Sequence, residues 1–131
     1  MKPSKFRFSN PQITYLEFQT NQGFSSNDKE GSMTVEGINV IKDCDIDKKN
    51  ASVEFTIITG NKTDESPFYI KLTMMAYFKW DEEYDNEAVE SMLKVNAPTL
   101  LISYIRPIIA NITGQSGLPS FHVPFMNFTD E

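Results

Sequence analysis

The sequence predicts an α+β fold in which four strands precede two helices. Alternating apolar and polar residues recur in the first 80 positions, whereas apolar residues at helical spacing appear only after position 85. Clusters of turn residues separate these segments. Strands followed by helices, without regular alternation, are typical of α+β proteins. The chain of 131 residues is long enough for a core without metal or disulfide, so we expect one domain, residues 1–131.

The first strand pattern, residues 5–20, is irregular. The alternation slips by one residue between Tyr15 and Leu16. One extra residue in a strand turns every later side chain to the other face of the sheet, so this slip predicts a bulge. Pro11 removes a backbone donor and favours an edge or an interruption at that point.

Three further strands are predicted at residues 33–42, 51–59 and 68–80, and a polar loop of residues 21–32 precedes them. Gly37 suggests a second bulge. The last strand has the clearest period of two, and its opposite face is only half polar, so we expect both faces of the sheet to meet other groups. Its apolar face consists of Phe68, Ile70, Leu72, Met74, Ala76, Phe78 and Trp80.

A short helix is predicted over residues 86–94, with Asp85 or Asn86 as its N-cap, and a long helix over residues 96–113. The glycines at 114 and 117 should end the long helix. Pro98 is tolerated in its first turn, whereas Pro107 should kink it. One helix face carries Leu101, Ile105, Ile108 and Ile112, and Leu100, Tyr104 and Ile109 make the apolar surface broader than one sheet requires.

Composition argues against several functions. A formal charge of −6 with scattered basic residues disfavours nucleic acid. No apolar run is long enough to span a membrane, and no apolar segment follows the charged N-terminus, so we expect a cytoplasmic protein. One His and one Cys leave no nucleophile–base pair and no typical zinc site. We therefore expect no enzyme activity, no metal and no cofactor.

Two acidic segments have simple interpretations. DCDIDKKNASVE places Asp43, Asp45, Asp47 and Glu54 at positions of a calcium-binding loop, but Lys48 stands where that loop needs glycine. The flanking segments are strands, so an acidic hairpin turn is the better interpretation. The run DEEYDNE has no nearby His and is interpreted as a solvated surface.

Apolar residues outside the regular elements are candidates for contact with a peptide. Flexible apolar side chains around a groove suit promiscuous binding of apolar segments. The alternative interpretation, that these residues cover the sheet or a subunit interface, stays open. The candidates are Phe24, Tyr77, Leu118, Phe121, Val123, Phe125 and Met126.

The last third of the chain resembles the SecB-type protein-export chaperones. The family pattern combines a Pro, a Leu, a Tyr-x-Arg helix, a Gly, a Pro and an Asn-Phe pair. In this sequence the matching residues are Pro98, Leu101, Tyr104, Arg106, Ile109, Gly117, Pro119, Asn127 and Phe128. Four strands before the helix, with a long crossover loop after the first strand, agree with the family as well.

The resemblance implies a four-stranded antiparallel sheet packed on a long helix. It also implies a homotetramer, a dimer of dimers whose interface holds the long helices, with Leu100, Tyr104, Ile105 and Ile109 as candidate contacts. The implied activity is capture of unfolded or extended preproteins and their transfer to an export motor ATPase. We therefore expect a non-enzymatic holdase that binds apolar segments. The alternative is a structural or adaptor protein that kept the fold and binds one dedicated partner.

The sequence departs from the family at several positions. Ser103 stands where the family usually has Pro, Pro107 has no counterpart, and the Pro expected just before Met126 lies at Pro124. The sequence ends at Glu131, where the family continues into another helix and a tail that contacts the motor. We therefore expect a short, divergent SecB-like branch, and this departure argues against transfer to the motor.

Overall fold

The computed structural model describes residues 5–24, 33–81 and 84–129. Its sheet is entirely antiparallel, which confirms the predicted α+β class. The strands are β1 (Arg7–Phe8), β2 (Gln12–Thr20), β3 (Val35–Asp45), β4 (Asn50–Gly60) and β5 (Phe68–Lys79). Across the sheet, β3 pairs with β4, β4 with β5, and both β1 and β2 with the far side of β5.

The predicted first strand is split in two, which gives five strands instead of four. Pro11 lies between β1 and β2, and the register shifts between Ile13 and Tyr15, just before the Tyr15–Leu16 slip at which the sequence pattern predicts a bulge. Proline interrupts the ladder because it has no N–H. Ser9 bridges the gap, because its N–H donates to the Tyr77 carbonyl at 2.9 Å.

The predicted bulge at Gly37 is wrong. The β3–β4 register is continuous from Val35 opposite Thr59 to Lys42 opposite Ser52, and the irregularity comes after Lys42. Glycine is needed at position 37 for another reason. A Cβ there would lie 2.7 Å from both the Phe55 ring and the Met126 methyl group.

The chain crosses from β2 to β3 around one end of the sheet. Asn21 holds the start of this crossover against the β4–β5 turn, where its side-chain amide donates to the carbonyls of Asn61 at 2.7 Å and Ser66 at 2.9 Å. Residues 25–32 of the predicted polar loop lie outside the described residues.

The two predicted helices form one continuous helical segment. It consists of α1 (Asn86–Ser91), a π-helical turn (Met92–Asn96) and α2 (Ala97–Gln115). Asp85 caps α1 by accepting the Ala88 N–H at 2.8 Å, as predicted. Gly117, at φ +88°, and a Leu118 N–H bond to the Thr113 carbonyl end α2.

The core lies between α2 and the predicted apolar face of β5, together with the same face of β4. Besides Pro98 and Ile102, the buried residues of α2 recur every four positions, because residues at that spacing lie above one another on one helix face. They are Ala97, Leu101, Ile105, Ile109 and Thr113. The predicted face was partly wrong, since Ile108 and Ile112 are only half-buried and flank this stripe.

The π-helical turn leaves one carbonyl without a helical donor. Ala97 would normally donate to Leu93, but its N–H bonds to Met92, and the next residue, Pro98, has no N–H. Asn39 on β3 replaces the missing helical donor. Its side-chain amide donates to the Leu93 carbonyl at 3.2 Å.

We expect Asn39→Ala to lower the free energy of unfolding by about 1–3 kcal/mol, because it leaves a buried carbonyl unpaired. In a Pro98→Ala background the destabilisation caused by Asn39→Ala should be smaller. Pro98→Ala introduces a backbone N–H close to the Leu93 carbonyl, and this N–H can replace the lost donor. A urea-denaturation double-mutant cycle measures both values. Equal costs in the two backgrounds would contradict this assignment.

Candidate functional site

Residues 118–129, here called the strap, run back from the end of α2 across the helix-covered face of the sheet. The first half of the strap is firmly attached. The Phe121 N–H donates to the buried Thr113 hydroxyl at 2.8 Å, and the Phe121 ring meets Phe68 edge-on at a centroid distance of 5.5 Å. Val123 is fully buried.

The second half of the strap reaches β3 and β4. The Phe128 ring lies perpendicular to the Phe55 ring, 5.5 Å away between centroids, and Met126 occupies the space above Gly37. Phe125 points outward and is 94% exposed, with the Arg106 guanidinium 5.1 Å from its ring centroid. A single exposed apolar residue is normal on a protein surface, so Phe125 is a candidate contact because it also lines a cavity.

A cavity of about 600 Å³ lies between the strap and β3. Val35, Gly37 and Asn39 of β3 form one wall, and Lys94 with residues 124–128 forms the other. Its size falls in the range of small-ligand sites, about 300–1,000 Å³. The cavity is large enough for one or two apolar side chains.

A second cavity, of about 460 Å³, lies beyond Phe128 and beside α1. Lys94 and Phe128 line both cavities. Lys94 also donates to Glu90 at 2.6 Å, and this hydrogen bond lowers the pKa of the Glu90 carboxyl. Glu90 therefore stays charged to a lower pH than an ordinary glutamate, and the rim of this cavity is polar.

The outer edge of β3 borders the first cavity. Within the described part of the chain, no strand pairs with this edge. A free edge presents unpaired N–H and C=O groups that can add an extended segment as a further strand. The side chains of such a segment that point toward the helix would lie next to the cavity.

The structure separates the seven predicted peptide contacts. Phe125 and Met126 line the cavity, and Leu118 and Phe121 are half-buried against the core. Val123 is fully buried, so it belongs to the protomer core and cannot contact a peptide.

Tyr77 and Phe24 lie elsewhere. Tyr77 is 58% exposed on the opposite face of the sheet, beside a separate cavity of about 360 Å³ lined by β1 and β5 residues. Phe24 lies in the crossover at the end of the sheet, where its N–H donates to the Asn21 carbonyl at 3.1 Å. The candidates therefore do not share one surface.

Two of the four predicted interface residues need correction. Ile105 and Ile109 are fully buried against the sheet within one protomer, so a second subunit cannot reach them. Leu100 is half-buried, and Tyr104 is 42% exposed with its ring 6.3 Å from that of Phe8. The interface prediction is therefore kept for Leu100 and Tyr104.

The β3 wall of the cavity was missed at the sequence level. Gly37 carried a signal, because glycine inside a strand marks either a bulge or a close approach, and here the second meaning applies. Asn39 carried none, since its partner Leu93 lies 54 positions away.

Two kinds of site are absent from the described residues. Within residues 5–24, 33–81 and 84–129, no group of three His, Cys, Asp or Glu side chains could hold a metal ion. In the same ranges, no helix combines the length and the apolar character required to cross a membrane.

The family model of SecB, the preprotein translocase subunit, matches residues 16–130. The protein-export protein SecB of Anaplasma phagocytophilum is 35% identical over 49 residues, which are 37% of this chain and 31% of that protein. The match thus spans less than a third of that relative. The uncharacterized protein MJ0357 of Methanocaldococcus jannaschii is 25% identical over 126 residues, 92% of this chain and 78% of that protein.

A solved structure has a similar fold. It is the Mycobacterium tuberculosis SecB-like chaperone Rv1957 in complex with a ChAD peptide from the Rv1956 HigA1 antitoxin. The TM-score is 0.71 at 10% identity, over 94% of this chain and 88% of that chain. At this identity the likeness shows the fold alone.

The attachment of the strap to α2 is directly testable. Thr113→Val should lower the free energy of unfolding by about 1–3 kcal/mol, because the Phe121 N–H loses its acceptor. The Phe121 amide should then exchange faster with solvent. Thr113→Ser, which keeps the hydroxyl, is the control and should retain slow exchange. Slow exchange in Thr113→Val would show that this bond does not hold the strap.

Proposed function

The chain belongs to the SecB family, and from this premise we propose that it is a cytoplasmic, non-enzymatic holdase for unfolded polypeptides. Its clients are extended segments with exposed apolar side chains. The observation that carries the proposal is the cavity of about 600 Å³ that opens beside the free edge of β3.

The free edge would bind the client backbone. Hydrogen bonds between N–H and C=O groups do not depend on client sequence, so they suit a protein that accepts many clients. Side chains alternate along a strand, so every second one would point to the helix side of the sheet. There the cavity and the exposed Phe125 would receive it.

Apolar burial would provide most of the affinity. Removal of apolar surface from water contributes about 25 cal/mol per Å², and full burial of a side chain such as Phe about 1.5–3 kcal/mol. One such anchor plus several edge hydrogen bonds gives modest affinity. Modest affinity suits a holdase, because the client must be released again.

The structural neighbour supports polypeptide binding by this fold, since that SecB-like chaperone was solved in complex with a peptide. That peptide comes from a single antitoxin, which also favours a second candidate function, an adaptor for one dedicated protein.

We also propose that the protein forms homo-oligomers, dimers or tetramers. The edge formed by β1 and β2 carries apolar side chains on the helix side of the sheet that α2 leaves uncovered. Together with Tyr104 they form an exposed strip next to half-buried Leu100. Its members are Phe8, Ile13, Leu16 and Tyr104, each between 42% and 46% exposed.

Client binding can be tested with an unfolded protein as the client. We expect the wild-type protein to suppress client aggregation at stoichiometric concentration, measured by light scattering. Phe125→Ala should weaken client affinity about tenfold, because one apolar anchor is lost. Tyr77→Ala is the matched control, an exposed aromatic on the opposite sheet face, and should leave affinity unchanged.

The same assay separates the two candidate functions. Unchanged aggregation in the presence of wild-type protein would overturn the holdase proposal. A pull-down that then returned one stable partner would favour the adaptor function.

Self-association can be tested by substitution within the exposed strip. Tyr104→Asp should reduce the molar mass measured by light scattering, because it places a charge in an apolar interface. Ile46→Asp is the control, since Ile46 is 48% exposed in the β3–β4 turn, away from the strip. A monomeric wild-type protein at micromolar concentration would contradict the proposal.

A further inference from the structure

The two halves of the strap are held in different ways. The first half has two hydrogen bonds to Thr113, from the N–H groups of Leu118 and Phe121, and the fully buried Val123. For residues 124–129, the described structure contains no hydrogen bond to any other element. The bonds of Thr129 to Asn127 are internal to the strap.

On the sheet, only apolar contacts hold the second half, and toward α2 the Phe125 ring meets the Arg106 guanidinium. Phe128 meets Phe55 edge-on, and Met126 fills the space that a side chain at Gly37 would occupy. Both contacts lie on the helix side of β3 and β4, where an extended client on the β3 edge would insert its side chains. The strap thus occupies part of the surface that a client requires.

A buried polar atom in the same place lacks a partner. Asn39 is the cross-strand neighbour of Phe55, and its amide nitrogen donates to Leu93. Its side-chain oxygen is buried and accepts no hydrogen bond from any described residue. A buried, unpaired acceptor is unfavourable, and such atoms in native proteins call for an explanation. A backbone N–H from a bound chain would satisfy it.

We propose that residues 124–129 are an internal occupant of the client site, displaced when an extended apolar segment binds. The inference rests on the proposed function and adds its regulation. Met126 and Phe128 hold the places of two client side chains on Gly37 and Phe55. A client replaces these apolar contacts and supplies the donor that Asn39 lacks.

The consequence is a lowered apparent affinity. When the binding-competent state is only partly populated, the apparent Kd equals the intrinsic Kd divided by the competent fraction. Weakening the contacts of the strap raises that fraction. A variant with a weakened strap should therefore bind its ligand more tightly than the wild type, whereas loss of a direct client contact would weaken binding.

The test uses a labelled synthetic peptide with the sequence of residues 119–129, and measures binding to the full-length protein by fluorescence anisotropy. We expect Met126→Ala/Phe128→Ala to bind the peptide at least about tenfold more tightly than wild type. His122→Ala is the control within the strap, because its side chain is exposed and lies outside the cavity lining, and it should change affinity by less than about twofold.

A second variant covers the case in which the double variant does not fold. Met126→Ala alone removes only the contact above Gly37 and leaves the wall of the site unchanged, so it should still tighten peptide binding, by less than the double variant. Thermal melting checks the fold of each variant. Equal affinity of wild type and weakened variants, or no peptide binding by any of them, overturns the inference.

Competition with an unfolded client separates this inference from the proposed function. A client that displaces the peptide supports both. A client that binds the wild type without displacing the peptide from the variant overturns the inference and leaves the holdase function intact. Tighter peptide binding by the variant, without capture of any client, supports the displaceable strap and overturns the holdase function.

Discussion

One helix has to cover a sheet that is wider than itself, and most features of this protein follow from that constraint. An α-helix is about 10 Å across, whereas four strands spaced about 4.8 Å apart are wider. The buried stripe of α2 lies over β4 and β5, the two central strands. Both flanks of the same sheet face then need another cover. On the β3 side the strap and the π-helical turn provide it, and on the β2 side the apolar residues stay exposed.

The β3 flank is covered by irregular structure, and irregular structure has to satisfy its polar groups individually. The strap uses the Thr113 hydroxyl to pair the Phe121 N–H, and the π-helical turn uses Asn39 to pair the Leu93 carbonyl. Each bond joins two different elements of the fold. Each therefore holds those elements together and also gives a backbone polar group its hydrogen-bond partner. From position 124 onward the described strap has no such bond, its contacts with the sheet are apolar, and the cavity begins.

The sequence predicted what depends on local pattern. The period of two in β5 identified its buried face, Asp85 was one of two residues predicted as the N-cap, and Pro11 marked the interruption of the first strand. Contacts between distant segments escaped prediction. The broad apolar surface of α2 did not reveal that Ile109 faces the sheet whereas Ile112 lies at the flank of the buried stripe. Several rotations of the helix about its axis would bury a similar apolar area. Gly37 was misread because Phe55 and Met126, which require it, lie far away along the chain.

The sequence left two roles open for the apolar residues after α2, packing and peptide contact, and the structure assigns packing to the first half of the strap. Val123 is buried and Phe121 is bonded to α2, so these residues belong to the fold. For the second half the two roles need not exclude each other. A segment that packs on the sheet only through Met126 and Phe128 makes the same kind of contact there that an apolar client would make, and with similar strength per residue. Because residues 124–129 cover this sheet flank only weakly, the protein can stay folded without a client and still accept one. Exchange of one apolar segment for another costs little free energy.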